Sequence, residues 1–242
     1  MKAKGVIPPH QHSGRTRAAP APPVVDRDLA SLLIAIRACR VCEAYLPLGP
    51  RPIVQVGAGA RLLIVGQAPG TKVHASGVPW DDASGERLRD WLGIKKATFY
   101  DDSQVAIVPI GFCYPGRGGG GDLPPRKECA PLWLDRVLAQ LPDIELTVLI
   151  GSHAQRKFLG SANKASLTQT VSAFAEYGPQ FFPVPHPSPR NTAWFQRHPW
   201  FASDLLPILR ERVQVVLAPM NRRTEPGGRT CVPQENQLRV PS

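Results

Sequence analysis

Four short apolar runs alternate along the chain with segments in which apolar residues recur at helical spacing. The runs are RLLIVG at 61–66, VAIVPI at 105–110, ELTVLIG at 145–151 and FFPVPH at 181–186. Continuous apolar runs of this length are typical of strands that are buried on both faces, as strands of parallel sheets are. The pattern therefore predicts four buried, parallel strands.

Helical patterns precede, separate and follow these runs. Their bounds are Arg27–Cys39, Ser84–Leu92, Arg126–Leu141, Ser152–Leu159 and Asn191–Val213, with an interruption expected at Pro199 because proline disrupts the helical hydrogen bonds. Strands that alternate with helices predict an α/β fold, a three-layer sandwich around a central, mainly parallel four-stranded sheet. Because such sheets bind ligands beyond the carboxyl ends of their strands, we expect a site in the loops after 66, 110, 151 and 186.

The two ends of the chain differ from its middle. Residues 1–24 and 218–242 mix Pro, Gly, Arg and polar residues without periodicity, which predicts a disordered basic tail, a folded domain at 25–217 and a second disordered tail. The start contains no apolar run typical of a secretory signal, and no run reaches the roughly 20 residues of a membrane span. We therefore expect a cytoplasmic protein, nucleoid-associated if bacterial, with no membrane partner. We also expect a monomer, although no sequence feature bears on the oligomeric state.

The chain is basic, with a formal net charge of +10. More than half of this excess lies at the ends, because residues 1–27 hold five basic and one acidic side chain and residues 219–242 hold four and two. A basic surplus suits a polyanionic partner, since each neutralised phosphate releases a counterion. Many basic proteins bind no nucleic acid, so charge alone leaves DNA as a candidate partner.

The first strand leads into a loop rich in glycine and proline, GQAPGTKVHASGVPWDDASGERL at 66–88. On composition alone it fits either an ordinary strand-to-helix connection or a loop whose backbone approaches a ligand. The residue order resembles the first signature of the uracil-DNA glycosylase superfamily, especially its iron–sulfur-containing thermostable-type branch. The matching positions are Gly66, Ala68, Pro69, Gly70, Gly77, Pro79 and Gly85.

The fourth run ends in HPSPRN, His186 to Asn191. A single histidine at a strand end is more often structural than catalytic. His-Pro-Ser, however, resembles the second signature of the same superfamily, and the whole hexapeptide resembles that of the single-strand-selective monofunctional uracil glycosylases. Two signatures in the correct order are far more specific than either one, and the resemblance covers roughly residues 30–212.

Four of the five cysteines have the spacing C-x2-C-x70-C-x15-C, with Cys231 left over. The CxxC ends a predicted helix, whereas a thioredoxin-like redox pair would open one. Spacing alone leaves open a zinc site, a four-iron four-sulfur (4Fe-4S) cluster or unrelated buried cysteines. The resemblance implies the 4Fe-4S cluster, because the thermostable-type glycosylases combine a CxxC with two cysteines 16 positions apart. Its ligands would be Cys39, Cys42, Cys113 and Cys129.

The resemblance also implies catalytic roles. His186 would donate a hydrogen bond to the negative charge that develops on the leaving base. Gln67 stands where the thermostable branch has glutamate, and Ala68 stands where the most efficient members have a water-orienting aspartate. Gln67 can hold a water but cannot take its proton. Asp81 and Asp82 are candidate carboxylates for orienting water or stabilising the sugar cation, with solvated turn acids as the alternative.

Base recognition departs from the family pattern at two positions. Trp80 replaces the phenylalanine on which a flipped base stacks, unless it is an ordinary core residue. Pro109 replaces the amide that reads the uracil edge, so backbone groups around Gly66, Ala68, Pro69 and Gly70, or the side chains of Ser152 and His153, are expected to read the base instead. Selectivity for uracil is therefore expected to be relaxed.

Contacts with the DNA backbone are expected beside both signatures. The candidates are Ser84, Gly85, Ser188, Arg190 and Asn191. Residues after the histidine can enter the duplex or hold phosphates once the base has flipped out. The glycine-rich segment at 116–126 predicts either backbone amides that meet phosphates or a flexible loop.

Together these features predict a DNA repair glycosylase that hydrolyses the N-glycosidic bond of uracil, and of other deaminated bases, in DNA and leaves an abasic site. Lys72 is the only lysine within the matched signatures, so a lyase step has no strong nucleophile and the enzyme is expected to be monofunctional. Because Pro109 lacks the amide that reads uracil, one alternative is a glycosylase that acts mainly on xanthine or hypoxanthine. Because Ala68 lacks the water-orienting carboxylate, a second alternative is a non-catalytic iron–sulfur protein that binds uracil-containing or abasic DNA.

Overall fold

The computed structural model of the protein describes residues 28–219. The predicted disordered tails, together with Cys231, therefore lie outside the described residues, apart from positions 218 and 219. The described range contains nearly all of the domain predicted at 25–217. No helix within it is both long and apolar enough to cross a membrane.

A sheet of four parallel strands lies at the centre of the fold, as the apolar runs predicted. In chain order the strands are β1 (Leu62–Val65), β2 (Val105–Ile107), β3 (Arg117–Gly118), β4 (Gly121–Asp122), β5 (Leu146–Ile150) and β6 (Phe181–Val184). Four of them lie in the order β2-β1-β5-β6, and each neighbouring pair is parallel. The other two, β3 and β4, form a separate antiparallel hairpin within the glycine-rich segment.

The helices are α1 (Leu29–Arg37), α2 (Thr71–Ser76), α3 (Ala83–Leu92), α4 (Lys96–Phe99), α5 (Asp135–Leu138), α6 (Gly151–Leu159), α7 (Leu167–Ser172), α8 (Thr192–Arg197) and α9 (Leu206–Leu217). Wider π-helical turns at Ala130–Leu134 and Phe201–Leu205 lead into α5 and α9. The interruption predicted at Pro199 is confirmed, because α8 ends before it and helical backbone resumes at Phe201.

Helices cover both faces of the central sheet. Successive side chains of a strand point to opposite faces, and all four residues of β1 are buried. Leu62 and Ile64 pack with residues of α3 and α9, whereas Leu63 and Val65 pack with residues of α1 and α6. The three-layer α/β sandwich is therefore confirmed.

Candidate active site

A pocket of about 380 Å³ lies where β1, β2 and β6 end. This volume is within the range of roughly 300–1,000 Å³ usual for ligand pockets. Of the predicted site residues, the pocket is lined by Gly66, Gln67, Ala68, Pro69, Gly70, Trp80, Asp82, Ser84, His186, Ser188 and Arg190. The two signatures, 120 positions apart at Gly66 and His186, thus meet at the carboxyl edge of the sheet.

Trp80 forms one wall of the pocket and is held in an unusual backbone conformation. Its φ is 57°, a left-handed value that costs a non-glycine residue about 1–3 kcal/mol and is often found at functional sites. Its indole lies so close to Gly66 that a Cβ there would stand 2.9 Å from Cζ2. A Cβ at Gly85 would stand 1.8 Å from the Trp80 carbonyl oxygen. Two glycines of the signature therefore make room for this tryptophan.

His186 lies beside Trp80, with 5.5 Å between the two ring centroids. The backbone N–H of Ser188 donates to His186 Nδ1 at 3.1 Å, and the Asn191 side-chain amide donates to the His186 carbonyl oxygen at 2.8 Å. A neutral imidazole that accepts at Nδ1 carries its proton on Nε2. The ring therefore offers the pocket a hydrogen-bond donor, and the predicted DNA contact Asn191 holds the histidine backbone.

Burial keeps this histidine neutral. It lowers the pKa of His186 below the ordinary value of 6.5, and it outweighs the opposite effects of the Asp82 and Asp122 carboxylates. Protonation would also place a hydrogen on Nδ1, where the Ser188 N–H already donates. Both effects favour the same neutral tautomer.

The sequence predicts Asp81 and Asp82 as the carboxylates of the site, whereas the carboxylates that line the pocket are Asp82 and Asp122. Asp82 lines the pocket, but it also caps α3, where its Oδ1 accepts the Gly85 N–H at 2.9 Å. Asp81 is exposed and is not among the lining residues. Asp122, which lies outside both signatures, lines the pocket from β4.

The hairpin of β3 and β4 closes a second side of the pocket. Arg117 and Asp122 are register partners in the hairpin, and both line the pocket. Gln67 Nε2 donates to the Leu123 carbonyl oxygen at 3.1 Å, which ties the hairpin to the end of β1. A Cβ at Gly121 would stand 2.8 Å from Arg190 Nη1, so the hairpin also lies against the second signature.

Of the positions considered for reading the base, some line the pocket and others do not. Pro109 lines the pocket, so the position that lacks the expected amide does face the site. Ser152 and His153 lie in the first turn of α6 and are not among the lining residues. Burial, with a smaller effect from Arg156, lowers the pKa of His153.

Comparison with known families fits this geometry. A family model for the uracil DNA glycosylase superfamily matches residues 54–210, more than half of the chain. The chain belongs to this superfamily. It is accordingly a DNA glycosylase in the general sense, a hydrolase that acts on bases in DNA. The matched range contains both signatures and the hairpin, and it begins after the CxxC pair.

All four cysteines singled out by spacing line one small, mostly apolar cavity that shares no lining residue with the pocket around His186. The Phe112 N–H donates to Cys129 Sγ at 3.2 Å, and Trp133 Nε1 donates to Cys39 Sγ at 3.4 Å. Burial raises the pKa of Cys113 to about 11 and that of Cys129 to about 12. Partly buried thiols of this kind become thiolates when a cation compensates their charge.

Proposed function

We propose that this member of the superfamily is a monofunctional uracil-DNA glycosylase. The proposal rests on one observation: a neutral histidine whose tautomer is fixed by Ser188 stands beside an aromatic wall in a pocket of the size of a ligand site. That pairing provides what base excision needs, a surface on which a flipped base stacks and a donor for the charge that it acquires.

The reaction breaks the bond between C1′ of the sugar and N1 of uracil. The bonding electrons move into the base, where negative charge accumulates on an exocyclic carbonyl oxygen. The Nε2–H of His186 donates to that oxygen, and the low-dielectric surroundings strengthen this hydrogen bond. Trp80 holds the base by stacking while water attacks C1′ and completes hydrolysis. The products are free uracil and an abasic site.

The deciding experiment is an excision assay on single-stranded and duplex oligonucleotides that carry one uracil, followed by alkaline cleavage of abasic sites. We expect cleavage at uracil and none in undamaged DNA. Because Lys72 lines the pocket, the assay includes borohydride trapping, and we expect no covalent complex. Binding of uracil-containing DNA without excision would instead favour the non-catalytic binding protein.

We further propose that Cys39, Cys42, Cys113 and Cys129 hold a 4Fe-4S cluster. In a cubane each thiolate binds a different iron, so the four cysteines must surround one cavity, as these residues do. Among residues 28–219 no group of three or more His, Cys, Asp or Glu side chains is placed to hold a metal ion, so the proposal rests on the spacing of the four cysteines and on the cavity that they share. The N–H groups that donate to Cys39 and Cys129 are of the kind that stabilise cluster sulfurs. When bound, the cluster would supply iron–thiolate bonds that join the CxxC turn to the loops at 113 and 129.

Pro109→Asn should narrow the range of bases that the enzyme removes. The parent pocket presents the Pro109 ring and the Trp80 indole to the base, and apolar surfaces reject analogues weakly because no buried polar group is left unpaired. We expect the parent to excise at least one deaminated purine, hypoxanthine or xanthine, within roughly three orders of magnitude of the uracil rate. Single-turnover rates on the three lesions measure this ratio.

Pro109→Ala is the matched control, since alanine removes the ring without adding an amide. We expect Pro109→Ala to keep the broad range and Pro109→Asn to shift it towards uracil. A parent enzyme that acts on uracil alone would contradict the prediction and would mean that a polar group in the lining of the pocket, such as Gln67, reads the base.

A further inference from the structure

Ala68 stands where the most efficient members of the superfamily carry a water-orienting aspartate, and it has no side-chain oxygen. Asp122 is a carboxylate that reaches the same pocket from a distant part of the sequence. One of its oxygens, Oδ2, stands 3.6 Å from the place where a Cβ on Gly70 would lie, which puts the carboxylate directly against the signature loop.

The position of Asp122 is fixed by contacts on both sides of the hairpin. The Leu123 carbonyl oxygen accepts from Gln67, and the Leu123 N–H donates to the Gly116 carbonyl oxygen at 2.9 Å. The backbone at Gly121 lies against the Arg190 guanidinium, and a Cβ there would stand 2.8 Å from Arg190 Nη1. The carboxylate is therefore held between the two signatures and near His186.

Asp82, the other carboxylate that lines the pocket, is already engaged. Its Oδ1 accepts the Gly85 N–H as the cap of α3, a role whose loss costs a helix about 1 kcal/mol. The cap occupies Oδ1, so Asp82 has one oxygen, Oδ2, left to contact a substrate water, and the cap limits how far that oxygen can move. Asp122 carries no such structural hydrogen bond among those found for residues 28–219, and its carboxylate is exposed to the solvent that supplies the water.

We propose that Asp122 is the catalytic carboxylate of this enzyme, which positions the attacking water and stabilises the sugar cation. The inference rests on the proposed glycosylase function. As the C1′–N1 bond breaks, its electron pair leaves with the base. The water oxygen then forms a bond to C1′, and the proton that it loses passes to the Asp122 carboxylate. That proton later leaves to solvent or to the uracil anion, which restores the carboxylate.

The first test compares single-turnover uracil release by the parent, Asp122→Asn and Asp143→Asn. The asparagine variant keeps the shape of the side chain and removes its charge, so we expect a loss of at least about 100-fold, the usual contribution of a general base. Asp143 is exposed and lies just before β5, at the opposite edge of the sheet, so its variant should match the parent.

The second test measures DNA binding, to separate the effect of the Asp122 charge from any structural effect of the substitution. The probes are two duplexes, one with a cationic azasugar and the other with a neutral tetrahydrofuran at the lesion site, both in the presence of free uracil. The parent should bind the cationic probe more tightly than the neutral one. Asp122→Asn should lose most of this difference, since Asp82 is then the one carboxylate left in the lining of the pocket, and the affinity of the variant for the neutral probe should stay unchanged.

The outcomes keep the two proposals distinct. A parent enzyme that releases no uracil overturns the glycosylase function. A parent that releases uracil, together with an Asp122→Asn variant of equal rate and equal preference for the cation, overturns the role of Asp122 alone. A large loss confined to Asp82→Asn would assign the role to that residue instead.

Discussion

Replacing His186 by alanine should lower the rate of uracil release by about 1,000-fold and leave DNA binding intact. Removing one preorganised donor from a developing oxyanion costs about 100- to 1,000-fold, and the donor here is half-buried and has a fixed tautomer. A loss of 1,000-fold corresponds to about 4 kcal/mol of transition-state stabilisation. Single-turnover excision measures the rate, and titration with labelled uracil-containing DNA measures binding.

His198→Ala is the matched control, because His198 stacks on Trp194 and does not line the pocket. Its excision rate should equal that of the parent. A His186→Ala variant that excises uracil at the parent rate would show that another group neutralises the leaving base.

The lowered pKa of His186 predicts how stability and the excision rate depend on pH. Burial lowers the pKa of His186, so between that lowered value and 6.5 the unfolded chain binds more protons than the folded one. His186 therefore contributes stability above pH 6.5, and this contribution is lost as the pH falls towards the folded-state pKa. Because the lowered pKa keeps the reactive neutral tautomer populated at pH values below 6.5, acid should reduce the single-turnover rate only at lower pH. The midpoint of the pH–rate curve should therefore lie below 6.5. A midpoint at or above 6.5 would mean that His186 titrates like an exposed imidazole.

The sheet could be predicted from the sequence because buried parallel strands are apolar on both faces. Each run at 61–66, 105–110, 145–151 and 181–186 contains its observed strand. The short helix α2 could not be predicted, because Val73 is its one buried residue and six residues set up no apolar periodicity. Ser84 and Asp82 are equally good helix caps by residue type, and the structure shows that Asp82 caps α3.

The signatures predicted which loops meet, but the hairpin that completes the pocket was not predictable from local pattern. Arg117 and Asp122 lie within a run of glycines that has no hydrophobic alternation. Their place in the pocket depends on the hydrogen bond from Gln67 to the Leu123 carbonyl oxygen, across 56 positions of sequence. A contact of that kind is created by the tertiary fold, so no window of sequence contains it.

The second large effect is expected at the cysteines. The purified protein should be brown, absorb near roughly 400 nm and contain iron and acid-labile sulfide in equal amounts. Cys113→Ser should lose the iron and most of the soluble protein, because thiolate–metal bonds contribute directly to the free energy of folding and Cys113 lies in the loop that follows β2. Absorbance, metal analysis and the soluble fraction on expression measure these effects.

Cys231→Ser supplies the control for this loss, since Cys231 falls outside the C-x2-C-x70-C-x15-C pattern. This variant should keep the parent's iron content, melting temperature and excision rate. If Cys113→Ser proves too insoluble to study, the metal content of the parent alone decides the matter: zinc without iron would refute the cluster. A metal-free parent protein that melts cooperatively would show that the apolar contacts around Trp133 suffice to close the cavity. Equal amounts of iron and sulfide would mean that the four cysteines bind the cluster. The cluster would then join the three separate stretches of chain that meet at this cavity.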